Sequence, residues 1–318
     1  MNKTTKVAII GLGQIGGSLG KALKSVKRYY IIGVARREET LKKALKINAF
    51  DKLSLSLQDV KGCDIVVICT PVDTIIPIYK QLSKIAGKNT IITDAGSVKE
   101  QIELGVRSVE SGVKGKILKQ SPIKTLGDMV QNDTTNFKLS SGAVAVNSTL
   151  HTPHSTLPFI PAHPMAGKEK NGIESADASL FKGANVVIIG SHKKMLKNEA
   201  IVAKMWEDAG AKIIKMSAKK HDELVAFTSH LPHLIAFSLN KIYKDKRKKN
   251  KEIEQIVAGS FKSATRVANS SADMWAPVLR MNAANIKKEL NSFIKELENF
   301  KKSLNNQSKI KKEILKGR

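Results

Sequence analysis

The short apolar, β-branched run Lys6-Val7-Ala8-Ile9-Ile10 leads directly into Gly11-Leu12-Gly13-Gln14-Ile15-Gly16, and this junction constrains the chain more than any other stretch. A run of that kind reads as a buried parallel strand. Three glycines at that spacing have separate physical jobs between a strand and a helix. The first permits a tight turn, the second lets the backbone approach a pyrophosphate, and the third lets the helix pack closely on the strand. The helix that follows carries Leu19, Ala22, Leu23 and Val26 on its inner face and turns its amide-rich N-terminus toward the anion. A second strand over 30–34 completes the unit. The pattern predicts a dinucleotide site on Gly11, Leu12, Gly13, Gln14, Ile15 and Gly16.

The end of the second strand bears on the cofactor. A carboxylate there would accept hydrogen bonds from the adenosine ribose, but this chain has Gly33-Val34-Ala35-Arg36-Arg37. Two guanidinium groups can hold a 2′-phosphate through charge-assisted, often bidentate hydrogen bonds, which favours NADP over NAD. The other reading keeps Arg36 and Arg37 as solvated residues before a helix, with Glu38 or Glu39 on the ribose. Strand and helix then keep alternating: a strand over 63–69 broken by Thr70-Pro71, a helix over 72–85 despite Pro77, and a strand over 90–94. Such alternation implies a doubly wound parallel sheet with right-handed crossovers, its ligands beyond the carboxyl ends of the strands. Thr70, Pro71, Asp94 and Ser97 fall at that edge, the first three as cofactor contacts. Cys63 and Cys69 read as small core residues, not a disulfide.

Between about 114 and 157 the periodicity fails and Gly, Ser, Thr, Asn and Pro predominate, so the stretch reads as an insertion. Its His151 and His154 have no Cys, Asp or Glu cluster beside them and read as loop residues; no metal site is expected. Order resumes with one short strand over 158–162 that delivers His163, then another over 185–189. From Ser217 the chain turns helical, first in a long amphipathic segment from His221 to about Tyr243, with Ser217 as its cap and Pro232 expected to bend it. The bend would make His230 and His233 the wall of a substrate cleft. Further helical regions start at Ile253 and at about Met274. The expected organisation is a Rossmann-type α/β domain over 1–216, carrying the insertion, followed by an all-helical domain over 217–318.

The 318 residues suffice for two cores, and no run of about 18 apolar residues suggests a membrane span. The N-terminus enters a strand without a secretory apolar region, which points to the cytoplasm. A formal charge of +26 raises nucleic acid and anionic membranes as partners. However, the lysines are spread along the chain, aromatic residues are only 5%, and no stacking or zinc-finger motif accompanies them, so neither partner is expected. The charge suits an anionic dicarboxylate substrate and a phosphate-rich cofactor.

Several marks in a fixed order then point to one family: the glycine loop, Asp94-Ala95-Gly96-Ser97-Val98-Lys99, His163-Pro164-Met165-Ala166-Gly167-Lys168-Glu169, Ser229-His230-Leu231-Pro232-His233, Thr265-Arg266 and Met274-Trp275. In this order they resemble the prephenate and arogenate dehydrogenases of tyrosine biosynthesis, over most of the chain except the insertion and the last dozen or so residues. The resemblance implies a cyclohexadienol substrate that loses hydride at its hydroxyl-bearing carbon and carbon dioxide from the opposite one. It implies His163 as acceptor of the hydroxyl proton, Ser97 as its hydrogen-bonding companion, and Arg266 as anchor of a substrate carboxylate. His233 and His230 are implied as substrate-binding, Glu169 and Asp222 as acids near the cleft entrance, and the helical domain as the seat of a homodimer. Many relatives carry an acid three positions before the arginine; here that residue is Ser263, so a gating ion pair built on that acid is not expected. A β-hydroxyacid dehydrogenase would share the glycine loop but is expected to use a helical lysine, and no such motif is found. A nucleotide sensor that binds nucleic acid would not require Ser97, His163, His233 and Arg266 together.

Overall fold

The apolar runs of the first half become a six-stranded parallel sheet in the computed structural model, which describes residues 4–112, 157–167, 172–190 and 196–317. Its strands are β1 (Thr5–Ile10), β2 (Tyr29–Val34), β3 (Lys52–Ser54), β4 (Ile65–Ile68), β5 (Ile91–Asp94) and β6 (Phe159–Ile160), in the spatial order β3-β2-β1-β4-β5-β6. Every neighbouring pair is parallel, so each connection must cross over a face of the sheet. Helix α1 (Gln14–Lys24) connects β1 to β2, α2 (Glu38–Lys46) connects β2 to β3, α3 (Ile75–Ile85) connects β4 to β5 and α4 (Glu100–Ser111) follows β5, while a short 3-10 turn, Leu57–Val60, lies between β3 and β4. Pro77 lies in the first turn of α3, where its missing N–H costs no helical hydrogen bond.

Residues 158–162 do not form one strand as expected. Pro161, which has no N–H to give a ladder, separates β6 from β7 (Ala162–Pro164). β7 pairs antiparallel with β8 (Asn185–Ile189), which runs parallel to β9 (Lys212–Met216) in a second, three-stranded sheet. Helix α5 (Leu196–Asp208) connects β8 to β9 and buries Trp206 edge-on against Phe181, ring centroids 5.2 Å apart. One apolar core joins Val7, Ile9, Ile31 and Val67 with Leu19 and Leu23 of α1 and with Trp206. Cys63 and Cys69 are both free thiols, and they flank β4 rather than belonging to it. The expected insertion, with His151 and His154, lies outside the described residues apart from Leu157.

The chain divides into two compact units, Met1–Ala218 and Lys219–Arg318. The second is helical, as its sequence pattern requires. Helix α6 (Ala218–Val225) passes into a π-helical turn, Ala226–His230, and then into α7 (Leu231–Lys249). Pro232 therefore stands in the first turn of α7, and the expected bend is taken up as a wider turn in which the Leu231 amide reaches back to the Ala226 carbonyl. Next come α8 (Gly259–Thr265), α9 (Ala272–Met281), α10 (Ala283–Ser303) and α11 (Gln307–Lys316). The continuous helical region expected from Met274 is thus interrupted at Asn282 and again at 304–306.

Candidate active site

The glycine loop has the shape its spacing requires. Gly11 has φ +96°, and a Cβ there would lie 2.7 Å from the Cys69 carbonyl oxygen. A Cβ on Gly16 would fall 2.2 Å from the Gly11 carbonyl oxygen, so α1 could not sit this close to the loop. Gly13 is different: a Cβ there meets nothing within 4 Å. The middle glycine faces open space, where a pyrophosphate would approach. It also precedes α1 without a side-chain cap, which suits the helix start to an anion. Leu12 packs in the core while lining the groove described next, and Ile15 is half-buried against the same core.

A groove of about 370 Å³ opens over this loop, lined by Gly11, Gly13, Arg36, Arg37, Thr70 and Pro71 among others. Thr74 Oγ1 lies 2.7 Å from both Thr70 Oγ1 and the Pro71 carbonyl, which holds the turn after β4. Sequence reasoning missed Lys43 and Glu174 on the groove wall, paired at 2.7 Å. The hydrogen bond to Glu174 raises the Lys43 ammonium above its ordinary pKa. Lys43 is a helical i+4 partner of Glu39 at 3.4 Å, but its reach to Glu174 has no local sequence signal.

Asp94 departs from its expected place on the cofactor surface. It is fully buried at the end of β5 and is paired at 2.5 Å with the equally buried Lys99 Nζ. The same carboxylate accepts the Gly96 amide at 2.9 Å and the Ala162 amide at 3.1 Å. A buried charge is tolerated only with such complete pairing. The arrangement clamps the turn carrying Ser97 and the strand carrying His163 to one carboxylate. Ser97 and His163 are both half-buried, and His163 stands opposite Val187 in the antiparallel β7–β8 ladder.

In the helical unit the S-H-L-P-H stretch builds a second cluster. His230 is buried and edge-on to Trp275, ring centroids 5.9 Å apart, while His233 stacks on the same indole at 3.7 Å. Burial pushes the His230 imidazole down to about 4 and lowers that of His233. Asp222, expected near a cleft entrance, is buried within the helical unit, and its carboxylate lies 2.7 Å from His221 Nδ1. The inward face of α6 takes it there. Arg266 is exposed on the short 3-10 turn after α8, and Ser263 is exposed on α8 itself. Glu169 lies outside the described residues. Among the described residues no group of three or more His, Cys, Asp or Glu is arranged to hold a metal, and no helix is long and apolar enough to cross a membrane.

Known proteins match the chain across both units. The nucleotide-binding domain of prephenate dehydrogenase matches residues 19–118 and 118–215, and its dimerization domain matches residues 217–315. A cyclohexadienyl dehydrogenase of Zymomonas mobilis is 30% identical over 92% of this chain and 86% of its own length. A prephenate dehydrogenase of Lactococcus lactis is 28% identical over 92% of this chain and 69% of its own length. Among solved structures, prephenate dehydrogenase from A. aeolicus in complex with hydroxyphenyl propionate and NAD+ superposes with a TM-score of 0.77 at 28% identity, covering 98% of this chain and 95% of that one. With both domains matched in sequence order over most of its length, the chain belongs to the prephenate dehydrogenase family.

Proposed function

We propose that His163 is the proton acceptor and Ser97 its hydrogen-bonding companion in the oxidative decarboxylation of prephenate to 4-hydroxyphenylpyruvate, or of arogenate to tyrosine. The observation that carries this reading is the Asp94 clamp, which ties the Ser97 turn and the His163 strand together at the carboxyl edge of the sheet. A ligand in a doubly wound sheet is expected at that edge. A nicotinamide dinucleotide held at Gly11, Gly13, Arg36 and Arg37 would supply the acceptor for hydride from the hydroxyl-bearing ring carbon. A neutral imidazole at His163 takes the hydroxyl proton as the carbonyl forms. Loss of the ring carboxylate as carbon dioxide then leaves its electron pair to restore aromaticity.

The other roles follow from charge and position. Arg266 anchors a substrate carboxylate with a planar, two-pronged donor, and His233 and His230 hold the side chain of the substrate. Arg36 and Arg37 on the groove wall favour NADP, since two guanidinium groups suit a 2′-phosphate better than a ribose diol. The open space at Gly13 fits the pyrophosphate of either dinucleotide. The helical unit joins two copies into a homodimer; its exposed Leu224, Phe227, Leu304 and Leu315 support this reading. A steady-state comparison of prephenate and arogenate, each with NAD and NADP, tests the proposal. Turnover with release of carbon dioxide is expected for at least one pair, fastest with NADP; a folded protein inactive with all four pairs would reject it.

A further inference from the structure

Asn282 ends α9 and is buried, and its amide has three partners. Nδ2 lies 2.8 Å from the Asp222 carbonyl oxygen and 3.1 Å from His230 Nδ1, while Oδ1 accepts from Asn285 Nδ2 at 2.8 Å. A backbone carbonyl can only accept, so the atom facing it must be the amide nitrogen. The nitrogen then has its second hydrogen for His230, whose Nδ1 must be the acceptor. The proton of a neutral His230 therefore sits on Nε2. A second proton on Nδ1 would meet the Asn282 N–H head-on.

His233 has the opposite arrangement. Its Nδ1 lies 2.9 Å from the Ser229 carbonyl oxygen, so Nδ1 carries the proton and the neutral ring has an accepting Nε2. Two histidines three residues apart thus differ in which nitrogen is protonated. Among the described residues, His230 Nε2 has no hydrogen-bond partner although it is buried, and neither has the indole Nε1 of Trp275, the ring both histidines contact. Buried donors left without partners are rare in folded proteins, and an oxygen of a bound ligand would satisfy the one on His230.

We propose that Asn282 is a positioning residue that holds His230 in its Nε2–H form, so that the buried ring meets an oxygen acceptor of the substrate as a neutral donor. This rests on the functional reading above, which places the S-H-L-P-H stretch on the substrate. The charged and titratable groups facing His230 are Asp222 and His221 on α6 and His233 on α7. Asp222 alone would favour an imidazolium, but burial and the Asn282 donor work against it.

Nitrogen-resolved NMR of the imidazole rings in the full-length protein tests this without any substitution. His230 is expected to show a protonated Nε2 and a bare Nδ1, unchanged from pH 5 to 8. A proton on Nδ1, or titration inside that range, would overturn the proposal. Asn282→Asp replaces the donor with an acceptor. His230 should then carry a proton on Nδ1 and titrate above its usual 6.5, and KM for substrate should rise about tenfold and become pH-dependent, with cofactor affinity unchanged. A KM that stays flat with pH in a folded variant would also count against it. Finally, 4-hydroxyphenylpyruvate added with NADP should shift the His230 Nε2 resonance. Saturation that moves His163 but leaves His230 unmoved would sink the contact alone, whereas no binding of either product, 4-hydroxyphenylpyruvate or tyrosine, would sink the functional reading itself.

Discussion

His163 has the chemistry of an acceptor only while its imidazole is neutral, and that gives the assignment a sign. Turnover should fall toward acid as the ring takes a proton it cannot then accept from substrate. His163→Asn should keep the fold and most cofactor binding, lose roughly 10²–10⁴-fold in turnover, and lose the acid limb of the pH profile with it. Near-normal turnover with an unchanged profile would remove His163 from the mechanism. The proposed role of Arg36 and Arg37 is on the cofactor instead. Replacing both with Ala should weaken NADP by about 3–6 kcal/mol more than NAD, because each charge-assisted bond to a 2′-phosphate is worth about 1.5–3 kcal/mol and NAD has no such phosphate. Equal losses in the two dissociation constants would return the two arginines to the role of solvated residues.

At the scale of elements, the glycine loop separates packing from binding. Gly16→Ala would push a methyl to within 2.2 Å of the Gly11 carbonyl, so α1 must shift and the protein should lose about 1–3 kcal/mol in a denaturant titration. Gly13→Ala meets nothing within 4 Å and should leave stability nearly unchanged while weakening both dinucleotides, since the methyl points where the pyrophosphate approaches. If the two variants lost stability equally, the open side of Gly13 would have no functional meaning. The Asp94 clamp gives a second test. Lys99→Met leaves a fully buried carboxylate without its cation, which should cost about 3–5 kcal/mol of stability. A melting curve unchanged from wild type would show that the pair contributes nothing.

For the whole molecule, the matched dimerization domain and the exposed apolar residues of the helical unit lead to one expectation about assembly. Sedimentation should give a species of twice the 34.7 kDa chain mass at micromolar concentration, and a stable monomer would reject the homodimer. The formal charge of +26 makes electrostatics the other property of the molecule as a whole. It suits an enzyme whose substrate and cofactor are both anions, and it requires no nucleic acid to explain it.

Much of this could be read along the chain because its physical causes are short-range. Glycines that must turn or pack, apolar runs that must be buried, and helical periodicity each act within a few residues, so the parallel sheet, the groove and the helical unit were all legible. Even Pro232 announced a disturbance, though only the fold chose a π-turn for it. Contacts between distant residues left no such trace. The Ala162 amide reaches Asp94 across 68 positions, and Asn282 reaches Asp222 across 60 and His230 across 52. Asp94 and Asp222 are both buried, where the sequence pattern had put them at a surface, and the bond to Asn282 decides which nitrogen of His230 bears its proton. A hydrogen bond depends on where two groups meet in space, and burial sets what leaving one unmade would cost; neither is encoded in local sequence, so the tertiary structure alone decided them.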